Sequence, residues 1–107
     1  DGAVVLWVPH TTAAVTVNEG ADPDVVRDMA DALDRIVPWD GGWRHAEGNT
    51  AAHVKSSMFG CDQVVPVLDG RPVLGTWQTI WFCEFDGPRR RRVLVGEVGS
   101  TEGRPKR

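Results

Sequence analysis

The sequence is poor in three features that would assign it to a broad class of protein: long apolar runs, basic charge and cysteine. No apolar run reaches the roughly 20 residues that a membrane-spanning helix needs, and no signal peptide is visible. The net charge is −3 and the pI about 5.5, which argues against a nucleic-acid surface. The two cysteines, Cys61 and Cys83, form no C-x-x-C motif and have no metal-type spacing. We therefore predict a cytoplasmic protein with reduced thiols and no membrane or nucleic-acid partner.

The chain is long enough for one compact domain with its own core. Its 107 residues predict a single domain, 1–107, with a polar tail from about residue 99. Hydrophobic residues make up 41% of the chain and charged residues 25%, which is typical of a globular protein in water. Five tryptophans are a high count for this length. Because aromatic residues are enriched at interfaces, we expect some of them to meet a partner chain.

The clearest predicted element is a helix in the stretch ADPDVVRDMADALDRIVP. Asp22 is a good N-cap, Pro23 suits the first helical position, and Pro38 ends the pattern. Apolar residues recur at three- and four-residue spacing on one face, namely Val26, Met29, Leu33, Ile36 and Val37. We interpret this helix as scaffold.

A second, shorter helix is predicted over residues 50–59. Asn49 can cap its start and Gly60 ends it. The pattern makes Val54 and Met58 its core positions.

The remaining segments predict β-strands, two before the helices and three after them. Asp69-Gly70 and Asp86-Gly87 lie between apolar runs, which predicts two hairpins in an antiparallel meander. The long strand between these turns has large apolar side chains on both faces, so we expect a second subunit to cover part of it. The predicted order is β-β-α-α-β-β-β, an α+β fold with a mostly antiparallel sheet.

One basic cluster, Arg89 to Arg92, follows the second Asp-Gly pair. Side chains alternate along a strand, so only two of the four arginines can share a face. A solvated hairpin end is the simplest interpretation. Anion binding or a subunit contact is the alternative.

The three histidines are His10, His45 and His53, and they come from a strand end, a Gly-rich loop and the short helix. Three imidazoles can form a zinc-type site with one open position, which is the catalytic arrangement. Their spacing does not resemble H-E-x-x-H, however, so from spacing alone three unrelated histidines are the default interpretation.

Several polar residues could hold a phosphate. Thr11 and Thr12 offer hydroxyl and backbone N–H groups, and the short helix presents its N-terminus at Asn49 and Thr50. Lys55 lies one turn further along that helix. The alternative is that Asn49 is an ordinary N-cap and Lys55 a solvated side chain.

Two carboxylates are candidates for a general base. Glu19 ends a predicted strand, and turn chemistry does not explain it, while Glu47 lies between His45 and Asn49. A general base must be close to the proton that it removes, which a sequence cannot establish. Solvated carboxylates are the alternative for both.

Three long segments resemble a known family. These are PHTTAAVTVNEGADPDV, WRHAEGNTAAHVKSSMFG and QVVPVLDGRPVLGTWQTIWFCEFDGPRRRRVLV. They are similar, from Gly2 to about Val95, to the YjbQ-like family, also called the secondary thiamine-phosphate synthase enzyme family. The resemblance implies a sandwich- or barrel-like sheet, a trimer, and a pocket in which His10, His45 and His53 can hold a metal ion. Family members normally have one more strand and helix before the segment that opens this chain.

The family name also implies an activity, the joining of a pyrimidine pyrophosphate to a thiazole phosphate. In that interpretation a divalent ion (zinc or magnesium) and Lys55 neutralise the leaving pyrophosphate. The phosphate oxygens are then held by Thr11, Thr12, Asn49 and Thr50, while Glu19 or Glu47 orients the metal or a water. A phosphate-ester hydrolase is a variant of this prediction. The alternatives are a non-catalytic oligomeric module that binds a metabolite or metal, and a structural trimer with histidines at its interface.

Overall fold

The computed structural model describes residues 1–99, so the predicted polar tail lies, from residue 100 onward, outside the described range. Within that range the α+β class is confirmed, with one two-residue strand more than predicted. The elements are β1 (Gly2–Trp7), β2 (Ala13–Glu19), α1 (Pro23–Ile36), α2 (Thr50–Phe59), β3 (Asp62–Leu68), β4 (Arg71–Pro72), β5 (Gln78–Glu84) and β6 (Leu94–Val98). Neither helix in residues 1–99 is long and apolar enough to cross a membrane.

The strands form two antiparallel sheets instead of one. A four-stranded sheet has the order β4-β3-β1-β6, and a second sheet pairs β2 with β5. A small apolar core of Val8, Ala13 and Val15 joins them, and Leu6 from the first sheet and Ile80 from the second pack against it. The arrangement is sandwich-like, as the resemblance implied.

Only one of the two predicted hairpins forms. At Asp69-Gly70 both residues have positive φ, 52° and 75°, as a type I′ turn requires, and β3 pairs with β4 across it. The Asp86-Gly87 prediction is wrong, because β5 pairs with β2 while β6 pairs with β1. The chain therefore crosses from one sheet to the other between residues 85 and 93, and side-chain ion pairs rather than a tight turn hold that crossing segment.

Helix α1 has the predicted start, whereas none of its residues is buried. The Asp22 side chain accepts a hydrogen bond from the Asp24 N–H at 2.9 Å, and Pro23 is the first helical residue. The apolar stripe is only partly covered, since Val37 after the helix is buried whereas Val26 and Ile36 are exposed.

Helix α2 has the predicted bounds but buries a different face. Small residues, Ala51, Ala52 and Ser56, lie buried against β2, and Ser56 Oγ donates to the carbonyl of Ala13 at 2.7 Å. The prediction of Met58 as a core position is wrong, because Met58 is 52% exposed. The small side chains allow the helix backbone to approach the strand closely, so the apolar residue pattern alone does not reveal the contact.

Candidate functional site

An ion-pair network holds the end of β5 and the crossing segment. Arg91 donates from Nε to Glu84 Oε1 at 2.7 Å and from Nη2 to Glu84 Oε2. The same Nη2 donates to the hydroxyl of Thr12 at 2.8 Å. Two residues earlier, Arg89 binds the carboxylate of Asp86 at 2.9 Å. The network fixes the loop before β2, the end of β5 and the crossing segment relative to one another.

The network lowers the pKa of both of its carboxyl groups. The hydrogen bond from Arg91 lowers the pKa of Glu84, and the same bond raises the pKa of Arg91. The hydrogen bond from Asn49 lowers the pKa of Asp86, and the bond from Arg89 acts in the same direction. Both carboxyls are therefore ionised at neutral pH, and each has an arginine partner.

Asn49 connects this network to α2. It precedes the first residue of the helix, but its side chain makes no capping hydrogen bond, and its Nδ2 donates to Asp86 Oδ2 at 2.8 Å. The residue is buried, and its Oδ1 accepts no hydrogen bond from the described residues. The side-chain cap considered from the sequence is therefore not formed, and Asn49 instead links the helix to the crossing segment.

His10 contacts the crossing segment near its end. Its Nε2 accepts a hydrogen bond from the backbone N–H of Arg92 at 2.9 Å. An imidazole nitrogen that accepts a hydrogen bond carries no proton, so the neutral ring has its proton on Nδ1. His10 therefore presents a donor, and its Nε2 is already engaged.

The other two histidines form a second polar group. The rings of His45 and His53 lie edge to face, with centroids 5.5 Å apart and planes at 86°. His45 Nε2 is 3.9 Å from Glu47 Oε1, which becomes an ion pair when the ring is protonated. The structure thus brings together three of the predicted site residues, His45, Glu47 and His53.

The predicted three-histidine metal site is not assembled within residues 1–99. Residues 1–99 contain no group of three or more His, Cys, Asp or Glu side chains placed to hold a metal ion. His45 and His53 could supply two ligands, whereas His10 Nε2 already accepts a hydrogen bond from the Arg92 N–H. The zinc or magnesium ion stays a prediction.

Lys55, predicted to hold phosphate, has an acidic partner on the other helix. The side chain of Lys55 is largely buried, and Nζ lies 2.7 Å from Asp34 Oδ1. The ammonium group therefore joins α2 to α1. It is not solvated, as the alternative interpretation held, and a role in phosphate binding stays a prediction.

Glu19, a predicted general base, has a local structural role. Its Oε2 accepts hydrogen bonds from the N–H groups of Ala21 and Asp22 at 3.0 and 3.3 Å. The carboxylate thereby stabilises the turn that leads into α1. Of the remaining candidates, Thr11 is exposed and Thr50 is the first residue of α2.

The sequence indicated Arg89 and Arg91 as part of a basic cluster and Asp86 as a turn residue, but their pairing with one another and with Glu84 was not predicted. A signal is present in the stretch CEFDGPRRRR, where two acids and two of the arginines alternate with other residues. The interpretation of Asp86 as part of a hairpin turn hid this signal, because a hairpin would place the arginines in solvent. The side chain of Arg91 is instead largely buried, with only 11% of its surface exposed.

The chain closely resembles proteins of one family. The family profile described as "UPF0047 protein YjbQ-like" matches residues 1–100. The chain is 52% identical to UPF0047 protein MJ1081 of Methanocaldococcus jannaschii, and the match covers 92% of this chain and 72% of the relative. It is 54% identical to UPF0047 protein YugU of Bacillus subtilis, with 92% and 75% covered.

Solved structures agree with these sequence matches. An uncharacterised conserved protein of the YjbQ/UPF0047 family from Clostridium acetobutylicum has a crystal structure that superposes with a TM-score of 0.89 at 50% identity. The match covers 92% of this chain and 76% of that one. A conserved hypothetical protein from Thermus thermophilus gives a TM-score of 0.87 at 45% identity, with 91% and 78% covered.

The comparisons correct the predicted activity. The relatives are named only as UPF0047 proteins, and the matched structures are described as uncharacterised or of unknown function. The predicted thiamine-phosphate synthase or other metal-assisted enzyme is therefore wrong, because neither the relatives nor the geometry indicates an enzymatic reaction. The extent and the sequence identity of these matches show that this chain belongs to the YjbQ-like UPF0047 protein family.

Proposed function

We propose that the chain is a non-catalytic subunit of a homotrimer that binds small phosphorylated molecules. The proposed binding surface, which we call the donor cluster, consists of His10, Thr11 and Arg92. The single observation that carries the proposal is the hydrogen bond from the Arg92 N–H to His10 Nε2. It places the Arg92 residue against the histidine ring and leaves the Nδ1–H of that ring as a donor.

Charge around the donor cluster supports an anionic ligand. Arg89 and Arg91 are neutralised by Asp86 and Glu84. Arg92 is exposed, and within residues 1–99 its side chain has no carboxylate partner. A guanidinium group binds phosphate oxygens through paired N–H donors, and the exposed Thr11 beside His10 adds a hydroxyl donor.

Exposed aromatic residues support the oligomer. On and beside β5, Trp77 is 65% exposed and Phe82 is 39% exposed. These are the strand positions for which the sequence predicts cover from a second subunit, and aromatic residues are enriched in such contacts. A cytoplasmic location belongs to the same proposal, since Cys61 and Cys83 are free thiols and burial raises the pKa of the Cys83 thiol.

Titration with inorganic phosphate, followed by NMR of the histidine ring protons, tests the binding surface. We expect saturable shifts of the His10 ring, and a loss of affinity of about tenfold in Arg92→Ala. That variant keeps the backbone N–H that orients His10. Arg27→Ala is the matched control, because Arg27 is an exposed arginine on α1, and its loss is expected to leave phosphate affinity unchanged.

Two results would contradict the proposal. Phosphate that fails to shift the His10 signals at millimolar concentration would remove the binding surface. An equal loss of affinity in the Arg92 and Arg27 variants would indicate general charge attraction in place of a site. Sedimentation velocity of the same samples checks the trimer separately, so the two parts of the proposal can fail independently.

A further inference from the structure

The turn that joins β2 to α1 lies against β5 and the residue before that strand. The backbone N–H of Gly20 donates to the carbonyl of Trp77 at 2.8 Å, and Trp81 Nε1 donates to the carbonyl of Glu19 at 3.0 Å. A β-carbon on Gly20 would clash with the hydroxyl oxygen of Thr79, so glycine is what allows this close approach. The turn is therefore fixed to the smaller sheet at its own backbone.

A cleft lies beside this turn, and we call it the Trp77 cleft. Its volume is about 390 Å³, and it is lined by Glu19, Ala21, Asp22, Pro23 and Trp77. A cleft of this volume is large enough for a small molecule. The side chain of Trp77 is 65% exposed, so its ring is available to a ligand in the cleft.

The charged groups of the Trp77 cleft are all acidic. Glu19 Oε2 accepts the backbone N–H groups of Ala21 and Asp22, and Asp22 Oδ1 accepts that of Asp24. Within residues 1–99, the second oxygen of Glu19 and of Asp22 accepts no hydrogen bond, and neither carboxylate has a Lys or Arg partner. The nearby Arg27 pairs with Asp24 instead, at 2.9 Å. The cleft thus has two negative charges that nothing in this part of the chain neutralises.

An indole ring beside two carboxylates suits an organic cation. The face of an indole attracts positive charge, and a free carboxylate oxygen accepts an N–H donor. A Ca²⁺ ion needs about six or more oxygen ligands, and residues 1–99 contain no group of three or more side chains placed to hold a metal. We propose that the Trp77 cleft binds a small organic cation with a primary ammonium group. The alkyl part of the ligand lies on Trp77, and its N–H groups bind Glu19 and Asp22. This binding does not depend on the phosphate surface.

Titration with n-butylammonium, followed by NMR of the indole N–H signals, tests the proposal. We expect a saturable shift of the Trp77 signal at millimolar concentration. The affinity should fall as the salt concentration rises, because salt screens exposed charges. The matched control ligand is 1-butanol, which has the same carbon chain and no charge, and we expect it to cause no saturable shift.

Two pairs of variants locate the bound cation, with the backbone amide signal of Ala21 as the common readout. Glu19→Gln keeps an oxygen for the N–H groups of the turn but removes the charge, so we expect affinity to fall about threefold. Asp28→Asn, at an exposed carboxylate of α1 outside the cleft, is its control. Trp77→Leu should also lower affinity about threefold, because it removes the aromatic face. Trp39→Leu, at another exposed tryptophan, is the control for that change.

Several results would overturn the proposal. Equal binding of 1-butanol would show that the cleft is only an apolar surface, and tighter binding of glucose would assign it to a carbohydrate. Equal affinities within either pair of variants would place the cation elsewhere. Absence of a saturable shift would also overturn it, and a neighbouring subunit that fills the cleft would give this result. Phosphate titration of the same samples reports on His10, so the two binding proposals can fail separately.

Discussion

Arg91 binds both carboxylate oxygens of Glu84 and also the hydroxyl of Thr12, so one guanidinium joins the crossing segment to the end of β5 and to the loop before β2. We expect Arg91→Ala to lower the free energy of unfolding by about 2 kcal/mol, because it leaves a half-buried carboxylate and a buried hydroxyl without their donor. Arg91→Lys should recover only part of this, since an ammonium cannot bind in two places at once. Urea denaturation measures both, and Arg90→Ala, at an exposed arginine, is the control for loss of charge alone.

The same ion pair predicts a pH dependence of stability. Folding lowers the pKa of Glu84, so its contribution is complete above the ordinary carboxyl pKa of about 4 and is lost as pH falls through the lower, folded value. The unfolding free energies of wild type and Glu84→Gln should therefore differ most at pH 6–7 and converge towards pH 3. A difference that stayed constant over this range would show that packing, and not the charge of Glu84, stabilises the contact.

Lys55 provides a test of which cations bind phosphate. Because its ammonium is paired with Asp34, Lys55→Met should leave phosphate affinity unchanged while Arg92→Ala lowers it. The stability cost of Lys55→Met should be below about 1 kcal/mol, since Asp34 is 73% exposed and solvent screens the pair. Methionine keeps most of the buried stem. Loss of phosphate binding in Lys55→Met would restore the role that the sequence predicted for this lysine.

The contact between α2 and β2 predicts a large loss of stability for one substitution in α2 and a small loss for another. Ala52→Leu should destabilise the protein by about 2 kcal/mol, because a fully buried alanine against a strand has no room for three more carbon atoms. Met58→Ala should cost less than about 1 kcal/mol, because Met58 is half-exposed. Thermal or urea denaturation of the two variants distinguishes this geometry from the predicted one, in which the larger loss would occur at Met58.

The sequence predicted those parts of the fold that local chemistry determines. Asp22 and Pro23 fix the start of α1, Gly60 ends α2, and Asp69-Gly70 forms its hairpin, all as predicted. Strand pairing was not predictable in the same way. An Asp-Gly pair between two apolar runs is compatible with a hairpin and also with a crossing to another sheet. Here the arginine partners of Glu84 and Asp86 stabilise the crossing.

The candidate site was predictable only in part for a similar reason. His45, Glu47 and His53 are close in sequence, and they are close in space. Lys55 and Asn49 bind acids that are 21 and 37 residues away, so no local pattern identifies those partners. Residue type indicated that these side chains could hold an anion, whereas Lys55 Nζ and Asn49 Nδ2 each bind a carboxylate of the protein itself.

Almost every strand in the described part of the chain pairs with a strand that is far away in the sequence and is therefore synthesised at a different time. Apart from the short β3–β4 hairpin, β1 pairs with segments about 60 and 90 residues further along, and β2 pairs with one about 65 residues further. Closing such long loops is slow, so the two helices and their caps are complete long before the sheets. The apolar strand β1 therefore remains without its neighbours until β3 and β6 have been synthesised, and its unpaired edges are open to aggregation until then.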